Sequence, residues 1–324
     1  MALLLSASDI AGSAPPLAEI IALVAETYRM EARGEAEVPA KVAVNPRAPG
    51  SFLHAIPAWV SGADALGMKW ISYFPENKAR GLPDSTGVII LADPESGAPV
   101  AIMEGMWITY ARTSACAAVA SQLLAANRPR RLGLIGCGGL GGWSLRMLAA
   151  AHPSIDEVFV ASRRAATREA FCEAMAREGP WRLFPVDDVR QAVEGMDIVV
   201  SSVPKLEEHP VRGAWWSAGA VMIPLDVTGA WDDDVYRMAD VIAHDGEENL
   251  RRAFERYRPN LKLDPRRSVR LQDLAAGSST GRKGRGDRIL VYVTGIGSVD
   301  MVLAREIFRR ATEAGRGRSF DLAG

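Results

Sequence analysis

A glycine-rich turn between an apolar run and an amphipathic stretch is the feature that most constrains the fold. Residues 132–135 are apolar, and the sequence Gly136-Cys137-Gly138-Gly139-Leu140-Gly141 follows them directly. This Gly-x-Gly-x-x-Gly spacing at a strand-to-helix turn is typical of dinucleotide-binding βαβ units. We expect Gly136 to make the tight turn, Gly138 to let a pyrophosphate approach, and Gly141 to let the helix pack on the strand.

The start of the following helix would complete such a site. The N–H groups of its first turn, which includes Gly139 and Leu140, lack partners within the helix and face the phosphates along with the positive end of the helix dipole. A tight turn without a ligand is the alternative interpretation.

Short apolar strands alternate with amphipathic helices after this point, which is typical of a parallel sheet. We therefore predict an α/β fold, a Rossmann doubly wound parallel sheet with a second α+β domain. Helices are predicted between the strands, among them residues 163–178 and 189–194. The predicted strands are residues 132–135, 158–161, 182–185, 198–201, 220–225, 241–243 and 289–293.

The part of the chain before residue 113 has a different pattern. Residues 17–32 show helical spacing, and β-rich runs follow at 41–45, 51–56, 67–73 and 87–93. The length of 324 residues fits two domains. We predict a substrate-binding and dimerisation domain from residues 1–112 plus 297–324, and a dinucleotide-binding domain from residues 113–296.

Three further features are expected in this arrangement. A small-residue helix at 114–126 crosses from one domain to the other, and a last helix covers 295–310. The tail after Gly315 is expected to be frayed.

The composition argues against nucleic acid and membranes as partners. The chain has 38 basic and 39 acidic residues, and a net charge of −1 creates no long-range attraction to either. The apolar run at residues 2–5 is too short for a signal peptide or a membrane span, so we expect a cytoplasmic protein. Three cysteines without a Cys-x-x-Cys pair and four scattered histidines predict no metal site.

The end of the second predicted strand of the Rossmann domain bears on the choice of cofactor. An acidic residue there would bond the ribose hydroxyls of NAD, whereas this chain has Ser162 followed by Arg163 and Arg164. Guanidinium groups suit a ribose 2′-phosphate. We therefore expect NADP, with NAD as the alternative. The arginines would otherwise form an ordinary solvated helix start.

Several strings between Gly67 and Gly141 resemble the ornithine cyclodeaminase/mu-crystallin family, in matching order and spacing. The family includes cyclodeaminases, ketimine and pyrroline-carboxylate reductases, and alanine dehydrogenases. The resemblance implies a small amino or imino acid as substrate and a homodimer that pairs through the first domain. The strings are Gly67-Met68-Lys69-Trp70, Gly81-Leu82-Pro83, Gly87-Val88-Ile89-Ile90-Leu91, Asp93-Pro94-Glu95-Ser96-Gly97, Ile108-Thr109-Tyr110-Ala111-Arg112-Thr113-Ser114-Ala115 and Ile135-Gly136-Cys137-Gly138.

Position by position, the resemblance implies that Lys69 and Arg112 hold the substrate carboxylate. Lys41 stands where the family places another basic group, and Arg47 is the alternative to it. Two or three cations on one carboxylate would fix the α-carbon against the nicotinamide. Lys69 is also a candidate for proton transfer. Otherwise Lys69 snorkels from a strand and Arg112 forms a structural ion pair.

The resemblance assigns a second candidate for proton transfer. Asp226 matches the acid that exchanges a proton with the substrate nitrogen in cyclodeaminases. Its alternative role is a helix N-cap or a turn aspartate. The following string, Thr228-Gly229-Ala230-Trp231-Asp232, departs from the Pro-Gly-Lys-x-Glu-Leu of cyclodeaminases, which argues against ornithine as the substrate.

The remaining cofactor contacts also come from the resemblance. It places Ser201, Ser202 and Val203 at the ribose and nicotinamide, and Gly295 near the nicotinamide. The segment after Gly295 keeps the second acid of the family's Gly-x-Ala-x-Glu-Asp pattern as Asp300, while Val299 replaces the first.

From these features we expect an NAD(P)-dependent imine reductase or amino-acid dehydrogenase that transfers hydride to or from the α-carbon. The first alternative is a cyclodeaminase, an ammonia lyase that uses NAD catalytically on a basic amino acid. The second is a mu-crystallin-like, NADPH-dependent ligand-binding protein.

Overall fold

The computed structural model describes residues 1–46, 50–204, 206, 208–227 and 229–321. These residues form two compact units. The first unit contains Met1–Arg112 and Ile296–Gly324, and the second contains Thr113–Gly295. Among the described residues, no helix combines the length and the apolar character needed to cross a bilayer.

The first part of the chain up to Arg112 supplies most strands of the first unit. In chain order its elements are β1 (Ala2–Leu5), α1 (Ala7–Gly12), α2 (Leu17–Ala32), β2 (Ala36–Glu37), β3 (Val42–Val44), β4 (Phe52–Val60), β5 (Ala65–Tyr73), β6 (Ser85–Ala92), β7 (Pro99–Glu104) and the start of α3 (Met106–Leu124).

The second unit follows, and the last elements return to the first unit. The second unit contains β8 (Arg131–Ile135), α4 (Gly139–Ala151), β9 (Glu157–Ala161), α5 (Ala165–Met175), β10 (Arg182–Val186), β11 (Ile198–Ser201), β12 (Val221–Pro224), α6 (Asp233–Met238), β13 (Val241–His244), α7 (Glu247–Tyr257), β14 (Ser268–Arg270), α8 (Leu271–Ala275) and β15 (Ile289–Tyr292). The first unit is completed by α9 (Gly297–Glu313) and β16 (Arg318–Phe320).

The first unit is built on one sheet in the order β16-β1-β7-β6-β5-β4-β2, with β3 also paired to β4. Side chains alternate between the two faces of each strand. Ile56, Ala58 and Val60 on β4 share one face and are almost fully buried. Helix α9 packs on β4 and β5, and α2 packs on α9.

Gly297 allows α9 to begin close to the sheet. A Cβ atom at this position would lie 2.7 Å from the carbonyl oxygen of Pro57 and 2.9 Å from Cβ of Ala58. Any larger residue would push the start of the helix away from β4. The close approach brings Asp300, in the first turn of α9, to the sheet face that carries Lys69.

The second unit contains a parallel sheet in the order β10-β9-β8-β11-β12-β15-β13-β14. The strand order reverses between β8 and β11, which are neighbours although β9 and β10 lie between them in the chain. In open parallel sheets, ligands bind at the carboxyl ends of the strands next to such a reversal. The glycine turn follows β8, and Ser202 follows β11.

The predicted α/β class with a Rossmann-type parallel sheet is confirmed. Each strand predicted for the second unit agrees with an observed strand to within one residue at either end. Continuous apolar runs with β-branched residues between turn residues are a strong local signal for buried parallel strands.

Four details differ from the sequence predictions. The helix predicted at residues 189–194 is a short 3-10 helix, Val189–Ala192, and the crossing helix begins at Met106 instead of residue 114. Helices α1, α6, α7 and α8 and strands β1, β2, β7 and β14 were not predicted. The prediction of a frayed tail is wrong, because β16 pairs with β1, from Ala2 with Phe320 to Leu4 with Arg318. These strands are stabilised by pairing between distant parts of the chain, which local patterns do not contain.

Candidate functional site

The glycine turn in the second unit has a backbone that requires glycine at its first position. Gly136 has a φ of +114°, a value that side chains strongly disfavour. A Cβ atom there would also lie 2.5 Å from the carbonyl oxygen of Ser202. The turn is therefore held against the end of β11, where Ser202 donates its N–H to Ile135 at 2.8 Å.

The other two glycines of the pattern differ in what surrounds them. A Cβ atom at Gly141 would lie 2.4 Å from the carbonyl oxygen of Gly136, so glycine lets α4 pack on the turn. A Cβ atom at Gly138 would meet no atom of the described residues within 4 Å. Gly138 is the N-cap of α4, and none of the described side chains caps this helix. Open space thus lies in front of the first turn, which contains Gly139 and Leu140.

The end of β9 is connected to this turn. Burial raises the pKa of the Cys137 thiol, while the neighbouring Ser162 acts in the opposite direction. Arg163 and Arg164 are exposed, and Arg164 is the N-cap of α5. Sequence reasoning missed Arg168, which is buried and donates to the Ser162 carbonyl at 3.1 Å.

The carboxyl ends of β11 and β12 are joined by Asp226. Its Oδ2 accepts the N–H of Val203, and its Oδ1 accepts the N–H of Gly229, both at 3.2 Å. Burial raises the pKa of this carboxyl group. With these bonds Asp226 acts as a turn aspartate, which was its alternative role in the sequence analysis. They also position Val203. At the end of β11, buried Ser201 accepts a hydrogen bond from Nε1 of Trp231 at 2.5 Å.

A buried aspartate that sequence reasoning missed holds the segment before Gly295. Oδ1 of Asp245 accepts two bonds from Thr294, from its N–H and its hydroxyl, each at 2.7 Å. Oδ2 accepts the N–H of Gly295 at 3.4 Å. Gly295 has a φ of +82°. The position of Asp245 directly after an apolar strand was the available sequence signal.

In the first unit, two of the predicted cations meet around one carboxylate. Lys69 on β5 is fully buried, and its Nζ lies 2.6 Å from Oδ2 of Asp300. Nε of Arg112, at the end of the first unit, donates to Oδ1 of Asp300 at 2.8 Å. Asp300 is fully buried as well. Lys69 therefore does not snorkel to solvent, while Arg112 does form the ion pair that was its alternative role.

Neighbouring positive charges act on Lys69 in this cluster. Burial and the neighbouring charge of Arg112 lower the pKa of Lys69 to about 7, although Asp300 acts in the opposite direction. Lys41, just before β3, is near enough to lower this pKa further. Arg47, the alternative to Lys41, lies outside the described residues.

A doubly wound parallel sheet with this glycine turn defines the class of NAD(P)-binding Rossmann proteins. The chain belongs to the ornithine cyclodeaminase/mu-crystallin family, whose model matches residues 2–315. The resemblance seen in the sequence strings is thereby confirmed.

Three relatives illustrate this membership. The nodulation efficiency protein NfeD of Rhizobium meliloti is 30% identical over 313 residues, which cover 97% of this chain and 96% of that protein. The N-((2S)-2-amino-2-carboxyethyl)-L-glutamate dehydrogenase of Staphylococcus aureus is 26% identical, with 83% and 81% covered. The structure of Thermococcus litoralis Delta(1)-pyrroline-2-carboxylate reductase, in complex with NADH and L-proline, is 26% identical with a TM-score of 0.90 and covers 98% of this chain and 100% of that chain.

The buried lysine predicts a distinct pH dependence of stability. Lys69 titrates near pH 7 in the folded protein and near its ordinary value of 10.5 when unfolded. Between these values the unfolded chain binds one more proton, so this residue makes the free energy of unfolding rise with pH, by about 1.4 kcal/mol per pH unit. Lys69→Met should lose this contribution. Urea unfolding of both proteins at pH 7 and pH 9 measures it.

The matched control is Lys78→Met, because Lys78 is 72% exposed and pairs with Asp84 at the surface. It should keep the wild-type pH dependence. The same dependence in the wild type and in Lys69→Met would contradict the assignment of a depressed pKa to Lys69.

Proposed function

We propose that the protein is an NAD(P)-dependent imine reductase or amino-acid dehydrogenase. The observation that carries the proposal is the cluster in which two buried cations, Lys69 and Arg112, meet at the carboxylate of Asp300. This cluster suits the carboxylate of an amino or imino acid. The glycine turn of the second unit and the relatives named above support a nicotinamide dinucleotide as the redox partner.

In this proposal the second unit holds the dinucleotide and the first holds the substrate carboxylate. The pyrophosphate lies at Gly138 and the first turn of α4, with Gly136 and Gly141 shaping the turn. Ser201, Ser202, Val203 and Gly295 supply the surface for the ribose and nicotinamide. When bound, the reduced nicotinamide supplies a hydride to the carbon of the C=N bond.

The nitrogen of the same bond takes up a proton, so that C=N becomes CH–NH. Lys69 is our first candidate for this proton, because a pKa of about 7 matches neutral conditions. Asp226 is the second, because its raised pKa favours a proton on the carboxyl group. Lys41 adds a further positive charge beside Lys69 and binds the substrate carboxylate with it.

The preferred cofactor is NADP in this proposal. Arg163 and Arg164 are exposed directly after β9, and the carbonyl of Ser162 accepts a hydrogen bond from Arg168. Two guanidinium groups at this place suit a 2′-phosphate. The cytoplasmic location remains a prediction from the sequence.

The dinucleotide site is tested by Gly138→Ala. The methyl group meets no atom in the part of the chain that the structure describes, and a φ of −85° is open to alanine, so the ligand-free protein should keep its melting temperature. The methyl group would occupy the place of the pyrophosphate, and we expect NADH and NADPH to bind at least about tenfold more weakly. Titration of nicotinamide fluorescence measures both affinities. Gly286→Ala is the control, because a methyl group there also meets no atom of the described residues within 4 Å.

The same titration tests the choice between NADP and NAD. Arg163→Ser combined with Arg164→Ser should weaken NADPH by about tenfold or more and leave NADH nearly unchanged. Arg177→Ser, which removes another exposed arginine, should change neither. Unchanged dinucleotide affinity in Gly138→Ala, or unchanged NADPH affinity in the arginine variant, would contradict the corresponding assignment.

The reaction is tested by following the absorbance of the reduced nicotinamide in stopped flow. The panel contains cyclic imino acids, α-keto acids with ammonia or methylamine, and amino acids in the reverse direction. We expect turnover with part of this panel, and a loss of about 100-fold in kcat/KM for Arg112→Met, because a charge-assisted bond to the carboxylate is removed.

Other outcomes would identify the alternatives. Ammonia released from ornithine or lysine without net change in NADH would identify a cyclodeaminase. Tight NADPH binding without any turnover would favour a mu-crystallin-like binding protein.

The second face of the first sheet supports a homodimer. Opposite the α9 face, the paired residues Pro57, Met68, Ile90 and Ile102 are apolar and only half-buried. Val42, at the edge of this face, is 61% exposed. A symmetric pair would cover this apolar surface. Sedimentation equilibrium should give about twice the chain mass of 34.9 kDa, and a single-chain mass at micromolar concentration would contradict the dimer.

A further inference from the structure

Asp300 is an unusual residue for the place it occupies. It lies in the first turn of α9 and is fully buried, as are its neighbours Val299 and Met301. Aspartate is almost never fully buried unless it is paired. An apolar residue at this position would be enough for the helix to pack on the sheet. The carboxylate is therefore explained by its contacts with other charged groups.

The two oxygens of this carboxylate have separate partners. Oδ1 accepts the hydrogen bond of Nε of Arg112 at 2.8 Å, and Oδ2 lies 2.6 Å from Nζ of Lys69. Lys69 comes from β5 and Arg112 from α3, so one carboxylate fixes cations from two elements relative to each other. The side chains of both cations are long, and each would otherwise lose its orientation to rotamer freedom.

Charged and apolar residues from several elements surround Lys69. Arg112 on α3 and Lys41 before β3 carry positive charge, which disfavours the ammonium form of Lys69. The residues paired with Lys69 on β4 and β6 are the apolar Ile56 and Ile89.

Two further titratable groups lie on elements packed nearby. His54 is one position further along the same face of β4, and Glu31 on α2 accepts a hydrogen bond from Ser298. Asp300 is the residue in ion-pair contact with Lys69 in the described part of the chain.

We propose that Asp300 is a positioning residue: it orients Lys69 and Arg112 toward one substrate carboxylate and supplies the negative charge that keeps Lys69 in its ammonium form. The inference rests on the proposed function for the identity of the ligand. The effect of Asp300 on Lys69 is a property of the protein without any ligand, and it is measured separately.

The first test follows Lys69 directly by NMR of the full chain without ligands. The sequence contains only six lysines, so lysine labelled with ¹³C at the ε-carbon gives a few signals, and Lys69→Met assigns the one of interest. The wild-type signal should titrate near pH 7. In Asp300→Asn the midpoint should fall by about one pH unit or more, because the favourable charge is lost.

Three further variants make this result specific. Arg112→Met removes the opposing cation and should move the midpoint of Lys69 upward. Asp300→Glu keeps a carboxylate but displaces it, so it should lower the midpoint by a smaller amount and tests Asp300 if Asp300→Asn does not fold. Glu313→Gln is the control, because it removes a carboxylate from the exposed far end of the same helix, where Glu313 pairs with Arg309, and should leave the midpoint unchanged. An unaltered midpoint in Asp300→Asn, or a downward shift in Arg112→Met, would overturn the proposal.

The second test uses turnover of a substrate found in the panel. Asp300→Asn should raise KM by about tenfold or more with a smaller change in kcat, because carboxylate binding loses its orientation. The limb of the pH profile that reports protonated Lys69 should move toward lower pH. Asp300→Glu should restore the pH limb more than KM, since it keeps the charge but displaces it. Identical pH limbs in the wild type and Asp300→Asn would count against the proposal.

The two tests fail in different ways. If the wild type turns over no member of the panel while the NMR shifts occur as expected, the proposed function is wrong and the positioning role of Asp300 stands. If turnover occurs but the midpoint of Lys69 does not respond to Asp300, the reverse holds.

Discussion

The ion pairs of Asp300 with Lys69 and Arg112 are the interaction on which the organisation of the first unit depends. A fully buried lysine on a central strand is costly unless a carboxylate meets it, and the carboxylate must come from an element packed on the same sheet face. Helix α9 meets that requirement because Gly297 lets its first turn approach β4 so closely. Packing and electrostatics therefore constrain the same few residues.

The candidate site of the second unit is made mainly of backbone atoms, whereas that of the first unit is made of charged side chains. Gly136 and Gly141 allow close contacts between main-chain atoms, and Gly138 leaves space in front of a helix that none of the described side chains caps. Aspartates at the ends of strands, Asp226 and Asp245, then hold the surrounding turns through N–H groups. A site of this kind suits a large ligand whose phosphates need many weak donors.

The backbone site could be predicted from the sequence, whereas the contacts of the charged side chains could not. The glycine turn was predictable because its requirements lie within six consecutive residues, and the parallel strands because each is a local apolar run. The pairing of Arg112 with Asp300 spans 188 residues, and nothing near either residue indicates its partner. Asp300 was noted in the sequence as part of a pattern, yet its contact with two cations required the packing of α9. Strand β16 was missed for the same reason, because its partner lies at the other end of the chain.

The return of α9 and β16 to the first unit also has a consequence for biosynthesis. The second unit is inserted into the first, so a ribosome has synthesised all of Thr113–Gly295 before it adds Asp300. The parallel sheet has its complete sequence at that moment, whereas Lys69 and Arg112 still lack their buried counter-ion. The emergence of the final helix is thus the event that neutralises this pair, and truncated chains that end before it would expose an unfinished, positively charged core to the quality-control machinery of the cell.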